Sequence, residues 1–314
     1  MSIRSRLGYF LIRLVLVLAL AAREGVTQDA DEGFFLQYTH FPIKQLFEPP
    51  SLSANLATGA GDYYAHYTLP ARLRRMDALL AVNRLSYELN SFSYENASER
   101  VKLYLPASLH AIKYELTLMT GLPKKSPWQV RAFFRLGLAT DFKNLSFSHL
   151  NIEAGALLHR LGRRRLEYGI GAVYVTDYGK PLWLPAVMLN WNDGGLVHVT
   201  VLIPKLLEVW IEPKRSFAVG LVARVDGNYY HVGEEVSMDV NGFDETVSDG
   251  RVEYSNVTMG PVFKLEASRR VTLTLAAGNA LARVFKFVNA GGEERESLKP
   301  EDGVFVRANL QFHR

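Results

Sequence analysis

The feature that most constrains this chain is its strict period-two alternation, sustained in segment after segment over about ten residues or more. Alternation of that period places successive side chains on opposite faces of a strand. Trp128, Val130, Ala132, Phe134, Leu136 and Leu138 fall on one face, against Gln129, Arg131, Phe133, Arg135, Gly137 and Ala139 on the other. The same division recurs near the carboxyl terminus. There Val304, Val306, Ala308, Leu310 and Phe312 oppose Phe305, Arg307, Asn309 and Gln311. In Phe217–Val225 and Leu166–Tyr174 the second face is again glycine, alanine and isolated charges. A soluble sandwich would carry many bulky charged groups on its wet face. A face of small and polar residues suits a narrow lumen instead, with the apolar face turned to lipid. The predicted fold is therefore all-β, a transmembrane antiparallel up-and-down β-barrel whose closure leaves no unpaired strand edge in the bilayer.

Candidate strands run from Ser51–Tyr67 to Val304–Phe312 and number about 12, with 10 or 14 left open. The uncertainty lies in the middle of the chain, where the connections Leu161–Arg165 and Asn192–Gly195 are both tight and Pro204 sits inside the candidate strand Leu196–Trp210. Long polar connections at His231–Gly250 and Asn289–Gly303 contrast with tight ones at Glu212–Ser216 and Glu266–Arg270, as outer loops contrast with periplasmic turns.

The first 22 residues carry Arg4, Arg6 and Arg13, then the apolar run Leu14–Ala22, in the order of a secretory signal. Removing them takes away three arginines and no acids, which lowers the formal charge from +4 to +1 and withdraws nucleic acid as a partner. Residues 23–50, with Phe34, Phe35, Phe41 and Phe47, are expected to form a periplasmic lead-in or a plug, and residues 51–314 the barrel. The chain has no cysteine, so it holds no disulfide and no thiolate metal site. A mean hydropathy near zero excludes a polytopic helical membrane protein but not a barrel, in which outward apolar residues are averaged with inward polar ones.

The signal, the alternating strands, the long loops and a last strand ending near Phe312 resemble Gram-negative outer-membrane β-barrels. Thr176–Pro185 and the final strand resemble a family of uncharacterised outer-membrane barrels known only as a domain of unknown function. This chain departs from the usual barrel ending, since His313 and Arg314 follow the terminal aromatic residue. The resemblance implies outer-membrane lipid and the barrel-assembly machinery as partners, and it supplies no catalytic residues.

No phosphate-binding loop, nucleophile elbow or zinc-protease motif occurs, and no cofactor is expected. The acidic stretch Asp239, Asn241, Gly242, Asp244 and Glu245 lacks helical calcium-loop spacing and reads as a solvated loop. His110, His159 and His198 are the candidates for a lipid hydrolase, the weakest of three functional classes. The informative set comprises the charges that parity sends inward: Arg84, Glu88, Lys113, Glu115, Arg131, Arg135, Glu153, Glu167, Arg224, Glu253 and Arg307. A charge facing hydrocarbon at mid-bilayer costs about 2 to 4 kcal/mol, which enforces that parity. Such residues either pair across the lumen and fill it, or, through Arg131, Arg135, Arg224 and Arg307, form an anion-selecting constriction. The leading expectation is a passive channel or transporter for a small solute or lipid-like molecule. The alternative is a structural or ligand-binding barrel that acts through its external loops.

Overall fold

A computed structural model of the full chain describes residues 33–41, 45–48, 55–56, 60–72, 79–91, 107–121, 126–142, 149–161, 165–176, 181–214, 216–232, 236–240, 243–247, 250–288, 294–300 and 302–313. The expected signal segment lies outside these. Fourteen strands form a closed antiparallel wall: β1 Gly33–Phe41, β4 Ala60–Arg72, β5 Leu79–Ser91, β6 Ser108–Gly121, β7 Trp128–Thr140, β8 Leu150–Leu161, β9 Leu166–Val175, β10 Leu182–Asn192, β11 Val197–Ile203, β12 Leu206–Lys214, β13 Phe217–Val232, β16 Gly250–Ser268, β17 Val271–Val288 and β19 Gly303–His313. Five accessory strands lie in the connections: β2 Gln45–Glu48, β3 Asn55–Leu56, β14 Val236–Val240, β15 Phe243–Val247 and β18 Glu294–Pro300.

Each wall strand pairs with its successor in the chain. The ring closes where β1 pairs with β4 on one side and with β19 on the other, as at Leu36↔Ala65 and Leu36↔Leu310. The expected number of about 12 becomes 14 for two physical reasons. Pro204 and Lys205 form a tight turn, in which the Lys205 amide donates to the Leu202 carbonyl at 2.7 Å, and this splits the long alternating run into β11 and β12. Gly33–Phe41, which lies inside the segment expected to be a lead-in or plug, is itself a wall strand.

Gly33 and His313 lie together at one rim, the terminal end, with short turns such as those at Asp193–Leu196 and Arg269–Arg270. The longer connections gather at the opposite rim, the loop end. Outside, the wall presents a belt of large apolar side chains, including Ile170 at 67% exposure, Trp183 at 71% and Leu221 at 60%. A soluble protein rarely leaves so continuous an apolar surface uncovered. A bilayer covers it at no such cost. Inside, small residues make room for large ones. A Cβ at Gly155 would sit 2.5 Å from the Phe133 ring, so the glycine lets that ring lie flat on β8.

The wall is not equally tall all round. β13, β16 and β17 run 16, 19 and 18 residues, whereas β11 and β12 run 7 and 9. Pairing between β12 and β13 stops at Leu206↔Arg224. Beyond it, the free edge of β13 crosses to the far wall. The Val225 amide still donates to the Lys205 carbonyl of the β11–β12 turn at 3.0 Å, and past it Asn151 Nδ2 of the far wall donates to the Tyr229 carbonyl at 3.0 Å and the Asp141 amide to the His231 carbonyl at 3.2 Å. His231 then pairs in parallel with Thr140 of β7. At the loop end β13 and β7 are thus neighbours, and β8 to β12 are left out of the ring.

Candidate functional site

Among the described residues three polar assemblies stand out in the lumen. The first is a row of cross-strand neighbours, Thr68↔Arg84, Arg84↔Glu115, Glu115↔Arg135 and Arg135↔Glu153, which runs over five adjacent strands and whose four charged members alternate in sign. Arg135 is its centre. Its Nε and Nη2 donate to Glu115 Oε2 at 3.0 and 2.5 Å, and its Nη1 donates to Glu153 Oε2 at 2.7 Å. Opposite charges directly across a strand pair are mutually stabilising, and here the pairing also satisfies carboxylates withdrawn from water. Glu153 is 2% exposed. At the ends of the row, Arg84 and Lys205 reach Glu115 and Glu153 at only 3.5 Å each.

The second assembly spans the lumen. Tyr230 and Asn228 of β13 meet Glu88 and Asn90 of β5, on the opposite wall. The Tyr230 hydroxyl donates to Glu88 Oε1 at 3.0 Å, Asn228 Nδ2 donates to Glu88 Oε2 at 2.8 Å, and Asn90 Nδ2 bonds the Tyr230 hydroxyl. All of Asn90, Asn228 and Tyr230 are buried. The third assembly holds Arg307. Its Nε donates to Thr39 Oγ1 at 3.0 Å, and its Nη2 pairs with Asp226 Oδ2 at 3.2 Å.

Beneath the bridge from β5 to β13 lies a cavity of about 510 Å³. It runs from Gly33 and Gln311 at the terminal end up to Glu88 and Tyr254.

Residues 63–295 match a sequence family described as Domain of unknown function (DUF6268). The chain belongs to that family. No curated protein matches it by sequence. Among solved structures, it is similar to an outer membrane channel from Pseudomonas putida F1, at 10% identity and TM-score 0.40 over 92% of this chain and 100% of that one. It is also similar to the TodX monoaromatic hydrocarbon channel, at 8% identity and TM-score 0.37 over 91% of each chain. A third is the NanC porin, at 11% identity and TM-score 0.33 over 89% of this chain and 100% of that one.

Ten of the eleven charges expected inside this barrel of the DUF6268 family take inward positions. Arg84, Glu88, Lys113, Arg224 and Arg307 line the cavity. Glu115, Arg135 and Glu153 form the ladder. Arg131 lies on the Arg135 face of β7, within electrostatic reach of Glu115 and of Glu167, which lies on the inward face of β9 with Gly169 and opposite exposed Tyr168 and Ile170. The exception is Glu253. On β16 the buried series is Val252, Tyr254, Asn256 and Thr258, so Glu253 faces out, in register with Lys286. The rule that apolar means lipid-facing inverts here, because this end of β16 packs its apolar face inward, with Tyr254 stacked on Phe285 at 4.7 Å between ring centroids.

An anion ring of Arg131, Arg135, Arg224 and Arg307 does not form as a set. Arg135 and Arg307 are held by carboxylates, whereas Arg224, among the described residues, reaches only Gln37, at 3.5 Å. The three histidines do not meet either. His110 bonds the Tyr87 hydroxyl at 2.8 Å on the outer face, and His198 bonds Asn190 at 2.7 Å, while buried His159 lies on β8, separated from β11 by two strands. The side chains of the acidic stretch at 239–245 lie outside the described residues.

Sequence reasoning missed Asn228, Tyr230 and Lys205, and it left Asp226, on the same face as Arg224, out of the inward charges. Asn228 and Tyr230 share that parity and are legible by extending the face along β13. Lys205 was hidden by reading Leu196–Trp210 as one strand.

Proposed function

We propose that this protein is a small-solute passage in the outer membrane of a Gram-negative bacterium, with its terminal end in the periplasm, and that the passage is held shut at the loop end by β13. The observation that carries this reading is the bridge from β13 to β5, in which Tyr230 and Asn228 grip Glu88 across the lumen over an otherwise open cavity. A barrel serving only as a scaffold has no need of a polar cavity sealed by a strand with one free edge. Short turns at the terminal end and long connections at the loop end support that orientation. The apolar belt supports the bilayer as its surroundings.

The bridge consists of hydrogen bonds to a charged carboxylate, each worth about 1.5 to 3 kcal/mol net, which suits a closed state that opens infrequently. Planar-bilayer recording tests this. Wild-type protein should show rare openings, and Asn228→Ala with Tyr230→Ala should raise the time-averaged current at least tenfold. Equal current from the two proteins would contradict the reading.

A further inference from the structure

We infer that the lumen cavity is a binding site for a small organic anion: a carboxylate or phosphate ester on a planar body. This deepens the passage reading and rests on it only for how the ligand arrives. The charges of the cavity do not balance. Among the described residues Arg84, Lys113, Lys205, Arg224 and Arg307 line it against Glu88 and Asp226, five cations to two carboxylates. Those two carboxylates are already engaged, Asp226 by Arg307 at 3.2 Å and Glu88 by the neutral donors Tyr230 and Asn228.

The carboxylates nearest to Arg84 and Lys205 are engaged as well. Glu115 and Glu153 are held by Arg135 at 2.5 and 2.7 Å, so the 3.5 Å approaches of Arg84 and Lys205 are secondary. Arg224 stands apart. Among the described residues its guanidinium makes no ion pair, and its one hydrogen bond, from Nη1 to Gln37 Oε1, is 3.5 Å long. A planar fork of donors turned into a cavity matches the two oxygens of a carboxylate or phosphate.

The cavity also supplies a surface for the ligand's body. Phe35 stacks on His66 at 4.7 Å between centroids and meets the edge of Tyr64 at 6.1 Å, and all three rings line the same space. A volume of about 510 Å³ is within the usual size of a small-molecule pocket, and walls that exclude water strengthen each charge contact. A cationic ligand of the same shape would meet like charge at Arg224.

The test is equilibrium dialysis of the purified, folded full-length protein in detergent against benzoate, phenyl phosphate, inorganic phosphate and benzylammonium. Benzoate and phenyl phosphate should bind saturably, inorganic phosphate at least tenfold more weakly than phenyl phosphate, and benzylammonium not at all. Arg224→Gln should weaken benzoate about tenfold, whereas Arg160→Gln, on the outer face beside Trp128, should stay within twofold of wild type. Benzylammonium binding as well as benzoate would overturn the anion site, and so would unchanged affinity in Arg224→Gln. Inorganic phosphate matching phenyl phosphate would overturn the planar body. The comparison of benzoate with benzylammonium on wild-type protein needs no variant, so it stands even where Arg224→Gln fails to fold. Dialysis involves no passage across a membrane. Anion binding in a protein whose bridge variants never conduct would therefore retain this site while the passage reading failed.

Discussion

At the scale of single residues, inside and outside obey different arithmetic. Arg135 serves two largely buried carboxylates, and removing it takes away the closest cation of both and leaves them only the 3.5 Å approaches of Arg84 and Lys205. Arg135→Met should therefore lower the unfolding free energy by about 3 to 5 kcal/mol, measured by denaturant unfolding in detergent micelles or lipid vesicles. Arg84→Met, whose pair is 3.5 Å long and whose side chain is 39% exposed, should cost less than about 1 kcal/mol. Equal losses would place the ladder's weight elsewhere. Asp193 shows the wet counterpart. In the turn between β10 and β11 its Oδ1 accepts from the amides of Gly195, Leu196 and Val197 at 2.8, 2.9 and 3.1 Å, while Gly194 takes the left-handed backbone. Those amide bonds, first that of Gly195, hold its carboxyl below the ordinary range. With the folded value below the unfolded one, its contribution is complete above the unfolded value of about 3.9 and is lost as pH falls through the folded value. Hydrogen exchange at the Gly195 to Val197 amides should stay slow down to that acid range and then quicken. Unchanged exchange throughout would contradict the turn.

At the scale of elements, period-two alternation made most of the wall legible, because each face of a lipid-bound strand is fixed by a penalty of a few kcal/mol. The rule weakened wherever lipid no longer judged the outer face. Glu253 lies near the loop end of a 19-residue strand, longer than a bilayer crossing needs, and there Val252 and Tyr254 gain more by packing inward. On β17 the register shifts between Leu281 and Val284, and Ala282 adopts φ 50°, after which Arg283, Phe285 and Phe287 form the buried set. Periodicity cannot announce such a bulge. Nor could it show that β12 stops early. Pro204 was visible, yet both halves of Leu196–Trp210 keep the same alternation across the turn. Of the candidate site, the inward charges were legible one by one. Which of them pair depends on neighbours brought together by the closure of the ring, and the bridge from Tyr230 to Glu88 joins residues 142 apart in the chain.

At the scale of the whole molecule, the closed barrel of fourteen strands narrows at its loop end because β13 leaves β12 and joins β7. In the proposed passage that junction is what holds the lumen shut. The chain has no cysteine, so Thr140→Cys with His231→Cys would introduce the protein's only disulfide at the single parallel pair between β7 and β13. Single-channel recording of this variant, oxidised and then reduced, tests the junction directly. The cross-link should form readily in folded protein and abolish the openings, and reduction should restore wild-type behaviour. Failure to cross-link, or openings that persist with the disulfide intact, would contradict a lumen shut by β13.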